Sequence, residues 1–271
     1  MPYLERPDAR LFYADYPAPP AAEQASPVLL VHGLWCTAEG WIYQIPALSA
    51  RHRTVAVDLR GHGRSSRPES KYELGDYADD LAALIRELDL APVVVLAHSM
   101  GSSIATVLAV RHPDLVRALV MIDPDYAGDP GERERMSRLA EDLDGPDADL
   151  VAQEMIRTRF DTPATPAHLR TWHELEILAS PARLRARTFR HSAFGRGSVR
   201  FRPEGERMLR ERPQPVLAFH RSTARAAVER DCMTHDYGEV ILRPRAGHFI
   251  HQELADEVNG TVARWVAGLP R

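Results

Sequence analysis

Pro92–Gly101, PVVVLAHSMG, decides how this chain is read. Its β-branched apolar run, Val93 to Leu96, stops at Ala97-His98-Ser99-Met100-Gly101, and a helix-forming segment follows from Ser102 to Arg111. The pattern is that of a buried parallel strand, a sharp turn and a helix, with Ser99 at the apex. So tight a turn holds its apex residue in strained torsions and requires small residues two before and two after it. Ala97 and Gly101 meet that requirement, although Ala97 carries one methyl group more than the G-x-S-x-G pattern. Two readings of Ser99 follow. It is a nucleophile exposed at the carboxyl end of the strand, or a serine that caps the helix.

Working outward, the flanking segments repeat the alternation. Pro27–Val31 (PVLLV) is a short buried strand ending in His32-Gly33-Leu34-Trp35, and Trp41, Ile42, Ile45 and Leu48 then recur at helical spacing. Thr54–Leu59 (TVAVDL) is another strand, running into the glycine-punctuated loop Arg60-Gly-His-Gly-Arg-Ser65. Tyr77–Leu90 reads as an amphipathic helix, and Ala118–Ile122 as a strand ending in Asp123-Pro124-Asp125. One or two edge strands are expected around Leu11, Phe12 and Tyr13. Strands alternating with helices imply a mostly parallel sheet with helices on both faces, and a ligand site at the carboxyl ends of the strands.

The alternation breaks after Asp125. From Tyr126 to Glu211 the patterns are helical, with helices expected over Glu132–Leu143, Asp149–Phe160, Pro166–Ala179 and Ala182–Phe189. It resumes with PVLAF (Pro215–Phe219), a helix around Ala224–Arg230, a strand over Glu239–Leu242, the stretch Gly247-His248-Phe249-Ile250-His251-Gln252-Glu253, and a closing helix over Ala255–Val266. The expected division is a core of residues 1–125 and 212–271 and a helical cap of residues 126–211.

Composition excludes several classes. A formal charge of -4 over 271 residues leaves no case for a nucleic acid or an anionic membrane surface as partner. No apolar stretch reaches membrane-spanning length and no basic-then-apolar leader opens the chain, so a cytoplasmic protein is expected. Cys36 and Cys232 stand far apart and read as free thiols, and no His/Asp/Glu spacing suggests a metal site or calls for a cofactor. Lys71 is the one lysine among 34 basic residues, so arginine is the default cation and no single arginine stands out. The arginines of the segment 126–211, including the cluster Arg183, Arg185, Arg187 and Arg190, read as a solvated face, with a carboxylate-binding role for one of them as the alternative.

His32-Gly33, Asp58-Leu-Arg-Gly-His-Gly-Arg-Ser65, Ala97-His-Ser-Met-Gly101 and Gly247-His248-Phe249, in this order and at strand ends, resemble the α/β-hydrolase superfamily, in particular its capped serine esterase and lactonase-like branch. The resemblance implies the α/β-hydrolase fold, a small-molecule ester or lactone as substrate, and a division of labour that chemistry supports. Ser99 is the candidate nucleophile, since a serine hydroxyl needs a neighbouring base to take its proton. His248 is the candidate base and later acid, with His251 as its rival. The backbone N–H groups of Leu34 and Met100 are the candidate oxyanion hole. Trp35, Phe249 and Trp172 are candidate pocket walls. His32, His62 and His98 read as hydrogen-bonded structural histidines.

The acid departs from the commonest plan of that family. The loop after PVLAF, His220-Arg-Ser-Thr-Ala-Arg225, holds no carboxylate. Some members carry the acid after the preceding core strand, where this chain has Asp123, with Asp125 two residues on and Glu229 and Asp231 as later possibilities. Asp123 is the preferred acid, and its task is to fix the histidine tautomer. A serine rather than an aspartate nucleophile argues against epoxide hydrolysis and dehalogenation. Hydrolysis of a carbon–carbon bond in a diketone or of a thioester uses the same three residues, and a pocket that binds without turnover is the non-enzymatic alternative.

Overall fold

A computed structural model describes residues 2–20 and 25–270. Among these, eight strands form one sheet in the order β1-β2-β4-β3-β5-β6-β7-β8. The strands are β1 (Tyr3–Glu5), β2 (Arg10–Tyr16), β3 (Val28–Val31), β4 (Thr54–Val57), β5 (Val93–His98), β6 (Val116–Ile122), β7 (Val216–His220) and β8 (Glu239–Leu242). β1 and β2 pair antiparallel at one edge, as does β2 with β4, and every other pairing is parallel.

Both faces of the parallel part are covered, which is why its strands read as continuous apolar runs. Side chains alternate between two cores because successive Cβ atoms point to opposite faces. Val93, Val95 and Ala97 of β5 pack with Leu81, Ile85 and Ile104 on one face. Val94 and Leu96 pack with Trp41, Leu48 and Val258 on the other. The first face is covered by α2 (Leu74–Glu87) and α3 (Met100–Arg111), the second by α1 (Gln44–Ser49) and a C-terminal helix over Ala255–Ala267. α2 begins three residues earlier than its apolar periodicity suggests, because the Asp76 carboxylate accepts from the Glu73 N–H (2.9 Å) and caps the first turn.

Five helices lie between β6 and β7: α4 (Arg133–Asp142), α5 (Ala148–Met155), α6 (Ala167–Leu178), α7 (Ala182–Phe194) and α8 (Glu204–Arg210). The segment read as one helix over Asp149–Phe160 is α5 followed by a π-helical turn, Ile156–Phe160. α8 lay outside the expected helices, since EGERMLR shows only a short apolar pattern, and Leu209 is its one large fully buried apolar side chain. The inserted helices pack a third core around Met136, Ile156, Ile177 and Phe189, which reaches the sheet through Trp35, Cys36 and Phe249. After β7 come α9 (Thr223–Cys232), α10 (Ile250–Glu253) and α11 (Ala255–Ala267). No helix among the described residues is long and apolar enough to cross a membrane.

Candidate active site

The register of two neighbouring strands brings the first two site residues together. His98 of β5 pairs with Ile122 of β6, so Ser99 and Asp123 leave the sheet side by side at its carboxyl edge. Each turns sharply, with φ at +52° for Ser99 and +38° for Asp123. Side chains rarely adopt this region, so the surrounding structure holds both in strained backbone. The Ser99 N–H donates to Ile122 O (3.0 Å), and the Asp123 N–H donates to Phe219 O (2.8 Å). Gly101 is required where α3 crosses the sheet, because a Cβ there would meet Val31 O at 2.5 Å and His32 O at 2.6 Å. Ala97 is fully buried within β5, so the extra methyl group is absorbed in the core.

His248 lies in the segment between β8 and α10. Its Nδ1 lies 2.5 Å from Asp123 Oδ2. An ionised carboxylate only accepts, so Nδ1 carries a proton and the neutral ring keeps its lone pair on Nε2. Burial pushes the Asp123 carboxyl up, but the hydrogen bond from His248, together with Arg221, outweighs it and holds the group down at about 2. The Arg221 Nε donates to Asp123 Oδ2 at 2.7 Å. The loop that lacks a carboxylate therefore supplies the cation that anchors one.

Several contacts fix the His248 ring and its loop. Its N–H donates to Phe160 O (2.6 Å), and the Phe160 ring stacks on the imidazole at 4.6 Å between centroids. Glu253 accepts from the Gly247 N–H (2.8 Å) and from Thr165 Oγ1 (2.8 Å), tying the loop to the inserted segment. The buried His98 lies 3.1 Å from His248 O through its Nε2, which must be the protonated nitrogen because a carbonyl only accepts. Burial pushes the His98 ring well below the ordinary histidine range, so it stays neutral.

The N–H groups of Leu34 and Met100 make no intramolecular hydrogen bond among the described residues. His32 shapes the first of these. Its Nε2 accepts from the Leu59 N–H (3.0 Å) and its Nδ1 donates to Gly33 O (2.7 Å), while burial pushes the ring down to about 4.

Ser99, Asp123 and His248 line a cavity of ≈ 540 Å³, with Leu34, Phe160 and Phe249 among its walls. Two of the expected wall residues lie elsewhere. Trp35 is buried under α7, where its indole N–H finds Thr188 Oγ1 (3.1 Å) and Arg185 O (3.2 Å). Trp172 is 38% exposed, since the buried stripe of α6 runs through Leu169, His173 and Ile177 and leaves position 172 on its flank. The four-arginine cluster is not uniformly solvated either: Arg185 is buried, reaching Ser180 O and Asp149.

The competing assignments are placed as follows. His251 is buried against Trp41 at 4.6 Å and does not line the cavity. Asp125 pairs with Arg200 and, at 3.8 Å, with Arg225. Glu229 is sealed in the core with Arg212 and Tyr126, and Asp231 is exposed. No group of three or more His, Cys, Asp or Glu side chains able to hold a metal ion occurs among the described residues.

Residues 26–190 match the family model described as the alpha/beta hydrolase fold. The chain belongs to the α/β-hydrolase family. It is 27% identical over 263 residues to the (E)-2-((N-methylformamido)methylene)succinate hydrolase of Acinetobacter baylyi, covering 91% of this chain and 92% of that one. A 96-residue stretch is 43% identical to the 2-(acetamidomethylene)succinate hydrolase of Mesorhizobium japonicum, covering 35% of this chain and 34% of that relative. Among solved structures, the enol-lactonase of Burkholderia xenovorans superimposes with a TM-score of 0.81 at 18% identity, covering 98% of this chain and all (100%) of that one. With relatives of this kind along its length, the chain is a hydrolase of that family.

Nothing in the sequence marks Arg221, Phe160 or Glu253 as neighbours of the site. Arg221 stands in the loop after β7 that holds no carboxylate, and the other two act through their places against His248 and its loop.

Proposed function

We propose that the protein is a serine hydrolase that cleaves a carboxylic ester or lactone through an acyl-serine intermediate. The observation that carries this reading is the Nδ1–Oδ2 contact of 2.5 Å between His248 and Asp123, in a cavity that Ser99 shares. That contact presents Nε2 as a base on the side away from the carboxylate. Ser99 Oγ attacks the carbonyl carbon as its proton passes to His248 Nε2, and the oxyanion is received by the Leu34 and Met100 N–H groups. The imidazolium, stabilised by Asp123, then protonates the departing alcohol oxygen as the C–O bond breaks. Water gives its proton to Nε2 and attacks the acyl carbon, and the serine leaves with that proton.

In this reading residues 126–211 form a cap that closes the cavity, with Phe160 as its contact with the base. A second reading is hydrolysis of an amide carbon–nitrogen bond by the same route. It is favoured by the two relatives named for succinates that bear an acylamino group.

The test is turnover of p-nitrophenyl acetate by the wild-type protein and by Ser99→Ala. The expected loss is on the order of 10^6 in kcat, since the three residues act as a unit. Turnover by Ser99→Ala at a rate near wild type would exclude the acyl-serine route.

A further inference from the structure

The cavity is unusually rich in one side chain. Arg135, Arg159, Arg200, Arg221 and Arg225 line it, against Asp123, Asp125 and Glu132, so the wall carries an excess of two positive charges. Four of the five have carboxylate partners within the protein. Arg221 pairs with Asp123, Arg200 with Asp125, Arg135 with Glu132 at 3.4 Å, and Arg225 with Asp125 and Glu132 at 3.8 and 3.9 Å.

Arg159 is the exception. Its side chain makes no hydrogen bond or ion pair among the described residues, though it is partly buried. Burial pushes its guanidinium below the usual arginine range, Arg135 and Arg200 push the same way, and Glu132 opposes them. Arg135 and Arg200 already have carboxylate partners, whereas the Arg159 guanidinium has none, so an anion in the cavity would supply the missing one. Arg200 also has an unmet donor, since its buried Nε has no partner.

Position ties this group to the reaction. Arg159 belongs to the π-helical turn Ile156–Phe160, a local departure from α-helix of a kind frequent at functional sites. The next residue, Phe160, stacks on the His248 ring and accepts from its backbone N–H. The turn that supports the candidate base therefore also delivers the unpaired guanidinium to the same cavity.

We propose that Arg159, flanked by Arg135 and Arg200, binds a free carboxylate of the substrate, so that the bond cleaved belongs to a carboxylate-bearing ester, lactone or amide. This rests on the acyl-serine reading above. A guanidinium presents paired N–H donors that match a carboxylate, and such charge-assisted contacts are the strong ones. The carboxylate belongs either to the acyl part or to the leaving group, and the test separates these.

Wild type, Arg159→Gln and Arg159→Lys are assayed on two substrate pairs: monoethyl succinate against diethyl succinate, and acetoxyacetate against ethyl acetoxyacetate. The wild type is expected to prefer the anionic member of at least one pair, and that pair tells which side of the ester carries the charge. Arg159→Gln should lower the anionic-to-neutral ratio of kcat/KM by roughly 10- to 100-fold, mainly through KM. Arg159→Lys should restore part of it. A ratio unchanged in Arg159→Gln, or a wild type that prefers the neutral member of both pairs, would overturn the proposal.

Calorimetric titration of Ser99→Ala with succinate tests the subsite without turnover. Adding Arg159→Gln should weaken binding by roughly 10- to 100-fold, and equal binding or none in the Ser99→Ala parent would overturn it. Arg159-dependent succinate binding, with no turnover of any of the four esters by the wild type, would support the subsite and remove the ester reading instead.

Discussion

Two buried carboxylates in this molecule are held by the same kinds of partner and end in different places. Asp123 is gripped by His248 and Arg221, and Glu229 by Arg212 and Tyr126, with His220 Nε2 at 3.5 Å. In each, burial pushes the carboxyl up and its cationic or donor partners pull it down to about 2. Yet Asp123 opens on the cavity beside Ser99, while Glu229 faces none of it. The lesson is that a strongly depressed carboxylate marks a well-satisfied buried ion, which catalysis and core structure both require. What separates them is access: the candidate nucleophile Ser99, the His248 ring and an open cavity stand beside one carboxylate and not beside the other.

Replacement of each carboxylate by its amide breaks the comparison open. Asp123→Asn should leave a folded protein that loses roughly 10^4 in kcat, because the amide no longer holds the histidine in the tautomer that frees Nε2. Steady-state kinetics on protein with a native circular dichroism spectrum checks this, and near-normal turnover would move the acid elsewhere. Glu229→Gln should do the reverse. It leaves Arg212 buried without its counter-charge, so denaturant unfolding should show a loss of about 3–5 kcal/mol, with kcat of the folded fraction near wild type.

Acid should weaken both regions in the same direction, a smaller effect spread over several groups. In the folded protein Asp123 and Glu229 titrate at about 2, below their ordinary unfolded range, so the unfolded chain binds more protons and their stabilisation is lost as pH falls toward 2. His32, His62 and His251 are pushed down by burial to about 4, 3 and 3. Unfolded histidines take up protons near pH 6.5, so this contribution begins to be lost there and continues to fall through about pH 4. The melting temperature is therefore expected to hold at neutral pH and decline steadily below about pH 6.5. A flat melting temperature between pH 7 and 4 would show that these rings are not kept neutral by burial.

The two halves of the chain also differ in what their residues disclose. Sheet strands such as VLLV and VVVLAH are legible because burial on both faces demands uninterrupted apolar residues, and the turn around Ser99 because only small neighbours permit it. Asp123 directly follows an apolar run, and the register of β5 with β6 sets it beside Ser99. The inserted helices disclose less. The π-helical turn is hidden in a segment whose apolar spacing suits one continuous helix, and the direction of Trp172 depends on which stripe of α6 is buried. Arg159 was invisible for a compositional reason, since a chain with one lysine uses arginine everywhere and only contacts separate the unpaired guanidinium from the rest.

The central claim is that Ser99, activated by His248, is the nucleophile. It is tested most directly by reaction with a fluorophosphonate probe followed by mass-spectrometric mapping of the adduct, in the wild type and in His248→Ala. The account predicts one adduct on Ser99 in the wild type and its near-complete loss in His248→Ala. An adduct on another serine, or equal labelling of Ser99 without His248, would contradict it.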